Sequence, residues 1–92
     1  MSHRLDTGLW MTLRFARGSR YYRLHLEQDL WRAWTITHVH GRTGTALGRH
    51  RTIPARSIDR ALFHLATASQ RRLQRGYSLI VLRPHRRLLW NR

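Results

Sequence analysis

The amino-acid sequence predicts a small α+β fold, an antiparallel β-sheet of about four to five strands packed against one α-helix. Three observations predict it. Apolar residues alternate with polar ones through the first half of the chain, a capped amphipathic segment occupies residues 57–76, and a β-branched and aromatic run follows. A chain of 92 residues has room for one hydrophobic core. The expected layout is an N-terminal tail over residues 1–8, a single domain over 9–83 and a basic C-terminal tail over 84–92.

From Leu9 to Arg17 the residues Leu9, Met11, Leu13 and Phe15 alternate with Trp10, Thr12 and Arg14, the period of a half-buried strand, and Gly18-Ser19 breaks it. In the second strand Tyr22, Leu24 and Leu26 take one face and Arg23, His25 and Glu27 the other, with a hairpin expected around Gln28-Asp29. A third strand starts near Trp31. Within it Trp34 and Ile36 share a face with His38 and His40, so that face turns polar as the strand runs past the core edge, and His40 is expected at the surface. Gly41, Gly44 and Gly48 permit positive φ or a close approach and bracket a turn, after which a short strand from Ala46 to Ile53 is ended by Pro54. Ser57 then caps a helix with Asp59 in its first turn and an apolar stripe of Ile58, Ala61, Leu62, Leu65, Ala66 and Leu73. Arg71, Arg72 and Arg75 complement the carbonyl end of its dipole, and Gly76 is placed for a left-handed cap. Tyr77 to Leu82 reads as a last strand. Of the tryptophans, Trp34 is expected in the core, with Trp10, Trp31 and Trp90 less protected.

Charge sets the class of partner. Lys+Arg total 18 against 4 Asp+Glu, a formal net charge of +14, and every basic residue is arginine, whose planar fork binds phosphate with two parallel hydrogen bonds. A polyanion is the natural partner, bound with a steep salt dependence because phosphate contacts release counterions. The chain has no cysteine, hence no disulfide or thiolate site, which suits a reducing compartment. The longest apolar stretch, Leu79 to Leu82, is far too short to cross a bilayer, and no signal peptide is legible. The expected location is the cytoplasm, at the nucleoid if the source is bacterial, with no membrane partner.

The segment from His40 to Arg49 (HGRTGTALGR) stands out as a glycine-punctuated turn that presents arginine between two strands. Its Gly-Arg-x-Gly-Thr-x-x-Gly run, the strand carrying Trp34 and Ile36 before it, Ala61 early in the following helix and Gly76-Tyr77 after it together resemble the WGR domain family. That family is found in DNA-dependent poly(ADP-ribose) polymerases and in stand-alone bacterial proteins. The resemblance covers most of the chain and departs at the defining tryptophan, which is His40 here. In the polymerases that tryptophan packs on a sugar at a DNA end and the arginine of the triplet approaches the backbone. The resemblance therefore implies DNA contact through Gly41, Arg42 and Gly44, with His40 as a smaller stacking surface that gains cationic attraction when protonated. No ADP-ribosylating activity carries over, because it resides in another domain.

The residues expected to bind nucleic acid are thus His40, Gly41, Arg42, Gly44, Arg49 and Arg51, the last two extending the positive surface along the next strand. DNA is expected in preference to RNA. Catalysis is not expected. Asp6, Glu27, Asp29 and Asp59 are the only carboxylates and form no acid–base pair, and Ser57 near Asp59 reads as a cap. His38, His40 and His50 could meet as metal ligands, but no carboxylate or cysteine joins them, so no metal or cofactor is expected. A competing class is a protein-interaction module that binds an acidic partner through Leu88, Leu89 and Trp90 or the sheet edge.

Overall fold

The structure, a computed structural model, describes residues 8–45 and 48–84. The described chain runs β1 (Gly8–Arg17), β2 (Arg20–Gln28), β3 (Trp34–Arg42), β4 (Gly48–Ala55), α1 (Ile58–Gln74) and β5 (Ser78–Pro84). The strands make one five-stranded sheet in the order β4-β3-β2-β1-β5, every neighbour antiparallel. Consecutive strands β1 to β4 pair through short connections. The helix then crosses one face of the sheet and delivers β5 to the free edge of β1. This is the α+β architecture that the alternation and the single amphipathic segment predict.

Period-two alternation sorts the side chains into two faces. The helix side carries Leu13 and Phe15 of β1, Leu24 and Leu26 of β2 and Ile36 of β3, which with Ala61 and Leu65 of α1 form the buried core. Trp34 packs against that core, as its place beside Ile36 predicts. Phe15 is 1% exposed and Leu24, Leu26 and Ile36 are fully buried; each such burial stabilises the fold by about 1.5–3 kcal/mol. The helix is held at both ends. Ser57 Oγ accepts the Arg60 N–H at 3.1 Å. Gly76, at φ +90°, allows the Gly76 N–H to reach the Leu73 carbonyl at 3.0 Å and the Tyr77 N–H to reach the Arg72 carbonyl at 3.0 Å.

Several expectations are corrected. The third strand begins at Trp34; Trp31 is 82% exposed in a turn organised by Asp29, whose side chain accepts the N–H groups of Trp31 and Ala33. A carboxylate two residues ahead of the turn's centre competes successfully with strand pairing. Pro54 lies inside β4 rather than ending it, which is possible because β4 is an edge strand and needs no donor on its outer side. The apolar stripe of the helix is narrower than its spacing suggests: Leu62 and Leu73 are 42% and 51% exposed and Ala66 is exposed, since the apolar residues of one helix over a twisted sheet meet the core along Ile58, Ala61, Leu65 and Ala68. Expectations for the tails, Ala46, Leu88, Leu89, Trp90 and the Trp10 side chain fall outside the described residues. No helix among the described residues is long and apolar enough to cross a membrane.

Phe15→Ala is expected to cost about 3–5 kcal/mol, and Ser57→Ala about 1 kcal/mol. Urea titrations followed by circular dichroism check both, and a cost for Phe15→Ala comparable to that of Ser57→Ala would contradict the core described here.

Candidate nucleic-acid interface

The register grades the helix side of the sheet from apolar to basic. Met11, Leu26, Ile36 and Ile53 lie in one cross-strand row, Leu13, Leu24, His38 and Arg51 in the next, and Phe15, Tyr22, His40 and Arg49 in the next. Arg17, Arg20 and Arg42 end the series. Hydrophobic strand positions thus give way to cations at the end of the sheet where the β1–β2 and β3–β4 turns sit side by side. A hydrogen bond from the Thr43 N–H to the Ser19 carbonyl, 2.7 Å, ties the two turns together. Gly44 makes the second turn possible at φ +88°, and the Arg42 carbonyl accepts Thr45 Oγ1 at 2.9 Å.

The helix completes the site. Positions 61, 65, 68 and 72 follow one helical face, so the stripe that enters the core as Ala61 and Leu65 arrives over the basic rows as Arg72. The Arg72 guanidinium carbon lies 4.2 Å from the Tyr22 ring centroid and 5.5 Å from that of Tyr77. Tyr22 in turn stacks on His40, with centroids 5.3 Å apart and planes within 8°. Arg17 stands 5.2 Å over Tyr77 and donates from Nη1 to the Arg75 carbonyl at 2.7 Å, filling an open acceptor at the helix end. Arg17, Arg20, Tyr22, His40, Arg72, Arg75 and Tyr77 line an open cleft of about 340 Å³. A second of similar size, lined by Tyr22, His38, His40, Arg49, His50 and Arg51, adjoins it.

Of the residues expected from the sequence, His40, Arg42 and Gly44 are exposed, as are Arg49 and Arg51, and the structure brings His40, Arg49 and Arg51 into one cleft. Arg42 faces the same side as His40, next to Arg20. Gly41 and Gly48 have another use. They stand in register with Tyr21, and a Cβ on Gly48 would come within 2.8 Å of the Tyr21 hydroxyl. The Tyr21 side chain therefore reaches across β3 on the helix-free face, over Gly41. Tyr22, Arg72, Arg17, Arg20, Arg75 and Tyr77 are not among the binding residues expected from the sequence. The strand face that Arg20 and Tyr22 share with Leu24 and Leu26 and the 61-65-68-72 spacing are the signals that place three of the participants, Arg20, Tyr22 and Arg72.

Among the described residues no carboxylate is paired with this surface. Among the described residues Glu27 accepts from Thr37 Oγ1, Asp29 holds the β2–β3 turn and Asp59 lies in the first helical turn, and none of them pairs with an arginine. Like charges directly opposite one another on neighbouring strands are destabilising, and bound anions would relieve that repulsion.

Behind the cations runs a polar chain. Tyr22 Oη and His38 Nδ1 are 2.8 Å apart, and His38 Nε2 and His64 Nε2 are 3.0 Å apart. His38 is only 5% exposed, although its strand position suggested a face already leaving the core. Burial, followed by His64, Arg51, Arg72 and His40, pushes its pKa from 6.5 down to about 4. Burial and then Arg51 and Arg71 lower His64 as well. Neutral imidazoles can make this chain, one nitrogen donating and the other accepting. His38 thus pairs with His64 rather than joining His40 and His50 as metal ligands, and the described residues contain no group of three or more potential ligands.

Because the unfolded chain binds a proton at His38 near 6.5 and the folded one only near 4, stability is complete above the first value and drains as pH falls towards the second. The loss is about 3 kcal/mol. Urea midpoints measured across that range check it, and His38→Gln should flatten the slope. Comparison of the chain with known protein families, with curated proteins and with solved structures finds no match, so the geometry just described carries the functional argument.

Proposed function

We propose that the chain is a non-enzymatic nucleic-acid-binding module that grips the phosphate backbone of DNA. The contacts centre on the Gly41-Arg42 turn with His40 and Gly44, and extend to Arg49, Arg51, Arg72, Arg20 and Arg17. The observation that carries this reading is an arginine surface at one end of the sheet with no described carboxylate paired to it. Solvation alone does not explain stacking guanidinium groups on tyrosine, where the cation–π contact fixes them without neutralising them. Arg72 keeps its N–H groups for an anion, and Arg17 those that the Arg75 carbonyl does not take, while both lose little further side-chain freedom on binding.

The resemblance to the WGR family supports DNA ends or breaks as the preferred form. His40 supplies a flat ring, backed by Tyr22, on which a terminal sugar or base can stack. Sequence reading is not part of the proposal, because the helix is needed to cover the sheet and its outward arginines are spread rather than gathered into a groove-reading face. The cytoplasm, or the nucleoid in a bacterium, is where such a module would work.

A second reading has its own observation. Leu79, Ile80 and Leu82 on the edge strand β5 are 44%, 58% and 57% exposed, and an apolar edge strand invites pairing with another chain. An acidic partner protein would suit the charge. Retention that survives nuclease and high salt would favour it, whereas nuclease-sensitive, salt-labile retention favours nucleic acid.

Fluorescence anisotropy with blunt 5′-phosphorylated duplex, end-capped duplex, single-stranded DNA and hairpin RNA at several salt concentrations tests the proposal. Arg42→Ala is expected to weaken duplex binding about fivefold and to reduce the slope of log affinity against log salt by about 1. Arg56→Ala, at the other end of the helix, should change the slope little. An unchanged slope for Arg42→Ala would rule out its phosphate contact, and absence of binding at moderate salt would remove the proposal.

A further inference from the structure

The opposite face of the sheet carries a second basic surface that the site above does not use. Val81, Arg14, Arg23, Val39 and His50 form one cross-strand row, and Arg83, Thr12, His25, Thr37 and Thr52 the next. No described element covers this face. Arg14 and Arg23 stand directly opposite one another on neighbouring strands, a like-charge pairing that a sheet normally avoids. Arg23 Nε is buried without a hydrogen-bond partner. Its guanidinium carbon lies 5.2 Å from the Tyr21 ring centroid, and Tyr21 is the side chain laid across Gly41 towards Gly48. The face therefore has a flat aromatic platform with a cation fixed on it, the same device that holds Arg72 on the helix side. Glu27 is the described carboxylate on this face, and it is engaged by Thr37 Oγ1 at 2.9 Å. His25 reports the local field: burial lowers its pKa, Glu27 opposes that, and Arg23 and Arg14 add to the lowering.

Resting on the nucleic-acid reading above, we propose that Arg14, Arg23 and Arg83 form a second, independent site for a phosphodiester backbone, so that one chain bridges two nucleic-acid segments. Successive strand residues point to opposite sides of a sheet. A backbone lying across His40 and Arg49 therefore cannot also lie across Arg14 and Arg23, and the two sites take separate segments.

A bridging assay tests this. Biotinylated duplex on beads is incubated with the protein and then with a second, fluorescently labelled duplex of unrelated sequence, and the captured label is read. The wild-type chain is expected to capture the second duplex. The double variant Arg14→Gln with Arg23→Gln is expected to lose capture at least about fivefold while its anisotropy affinity for one duplex changes by less than about threefold, since only one of two separate phosphate sites is altered. Arg14→Gln alone, at an exposed position, replaces the double variant if the latter melts early.

Undiminished capture by the folded variant would overturn the proposal, because bridging would then come from self-association or from the helix side alone. Equal loss of capture and of single-duplex binding would overturn it too, since the two faces would then be one surface. A wild-type protein that binds one duplex and captures no second also overturns it, and leaves the first site standing. Failure to bind any duplex removes both readings together.

Discussion

Strand register is the constraint on which the rest of the molecule depends. With Tyr22 opposite His40 and His40 opposite Arg49, every cross-strand row has one character, and side chains alternate faces with each step along a strand. A slip of one residue in β3 would send Ile36 out of the core and bring Thr35 or Thr37 in. The same slip would take His40 and Arg42 away from Tyr22 and Arg20. Core and site are therefore specified by one set of pairings, and the hydrophobic demand of Leu24, Leu26 and Ile36 is what fixes the position of the cations.

The helix answers to the same register. It begins after Ala55, which pairs with Trp34 at the apolar end, and finishes over the arginine end, where Arg72 lies between two tyrosine rings. The carbonyl end of the helix faces Arg17 and so offsets part of the positive field. That offset is small beside a net charge of +14. The end of the sheet is thus rigid in its backbone, held by the Thr43 to Ser19 hydrogen bond, and unsatisfied in its charge.

Much of this was legible in the residues, and the limits have physical causes. Alternation in β1 and β2, the Ser57 cap and the Gly76 cap are local signals, and local signals survive folding. The start of β3 was misplaced because Asp29 forms its turn through side-chain bonds that hydrophobic spacing does not register. The exposure of Leu62 and Leu73 was hidden because a helical stripe shows which face is apolar, not how much sheet lies beneath it. Arg49 and Arg51, singled out with the turn, line a cleft with His40, whereas Tyr22 and Arg72 come to the clefts only when β2, β3 and α1 are brought together. His38 shows the same limit: its strand face suggested an edge position, and His64 on the helix closed over it.

The glycines of the turn carry a consequence of their own. Gly41 and Gly48 leave space for the Tyr21 side chain on the helix-free face, while His40, one residue before Gly41, points to the other side and is exposed. A Cβ at position 48 would press on the Tyr21 hydroxyl, whereas a different side chain at position 40 would lose the stacking on Tyr22 and leave the buried core untouched. The spacing of glycines in this segment therefore tracks the architecture, and position 40 is where the exposed surface can vary in chemistry without a change in how the chain folds.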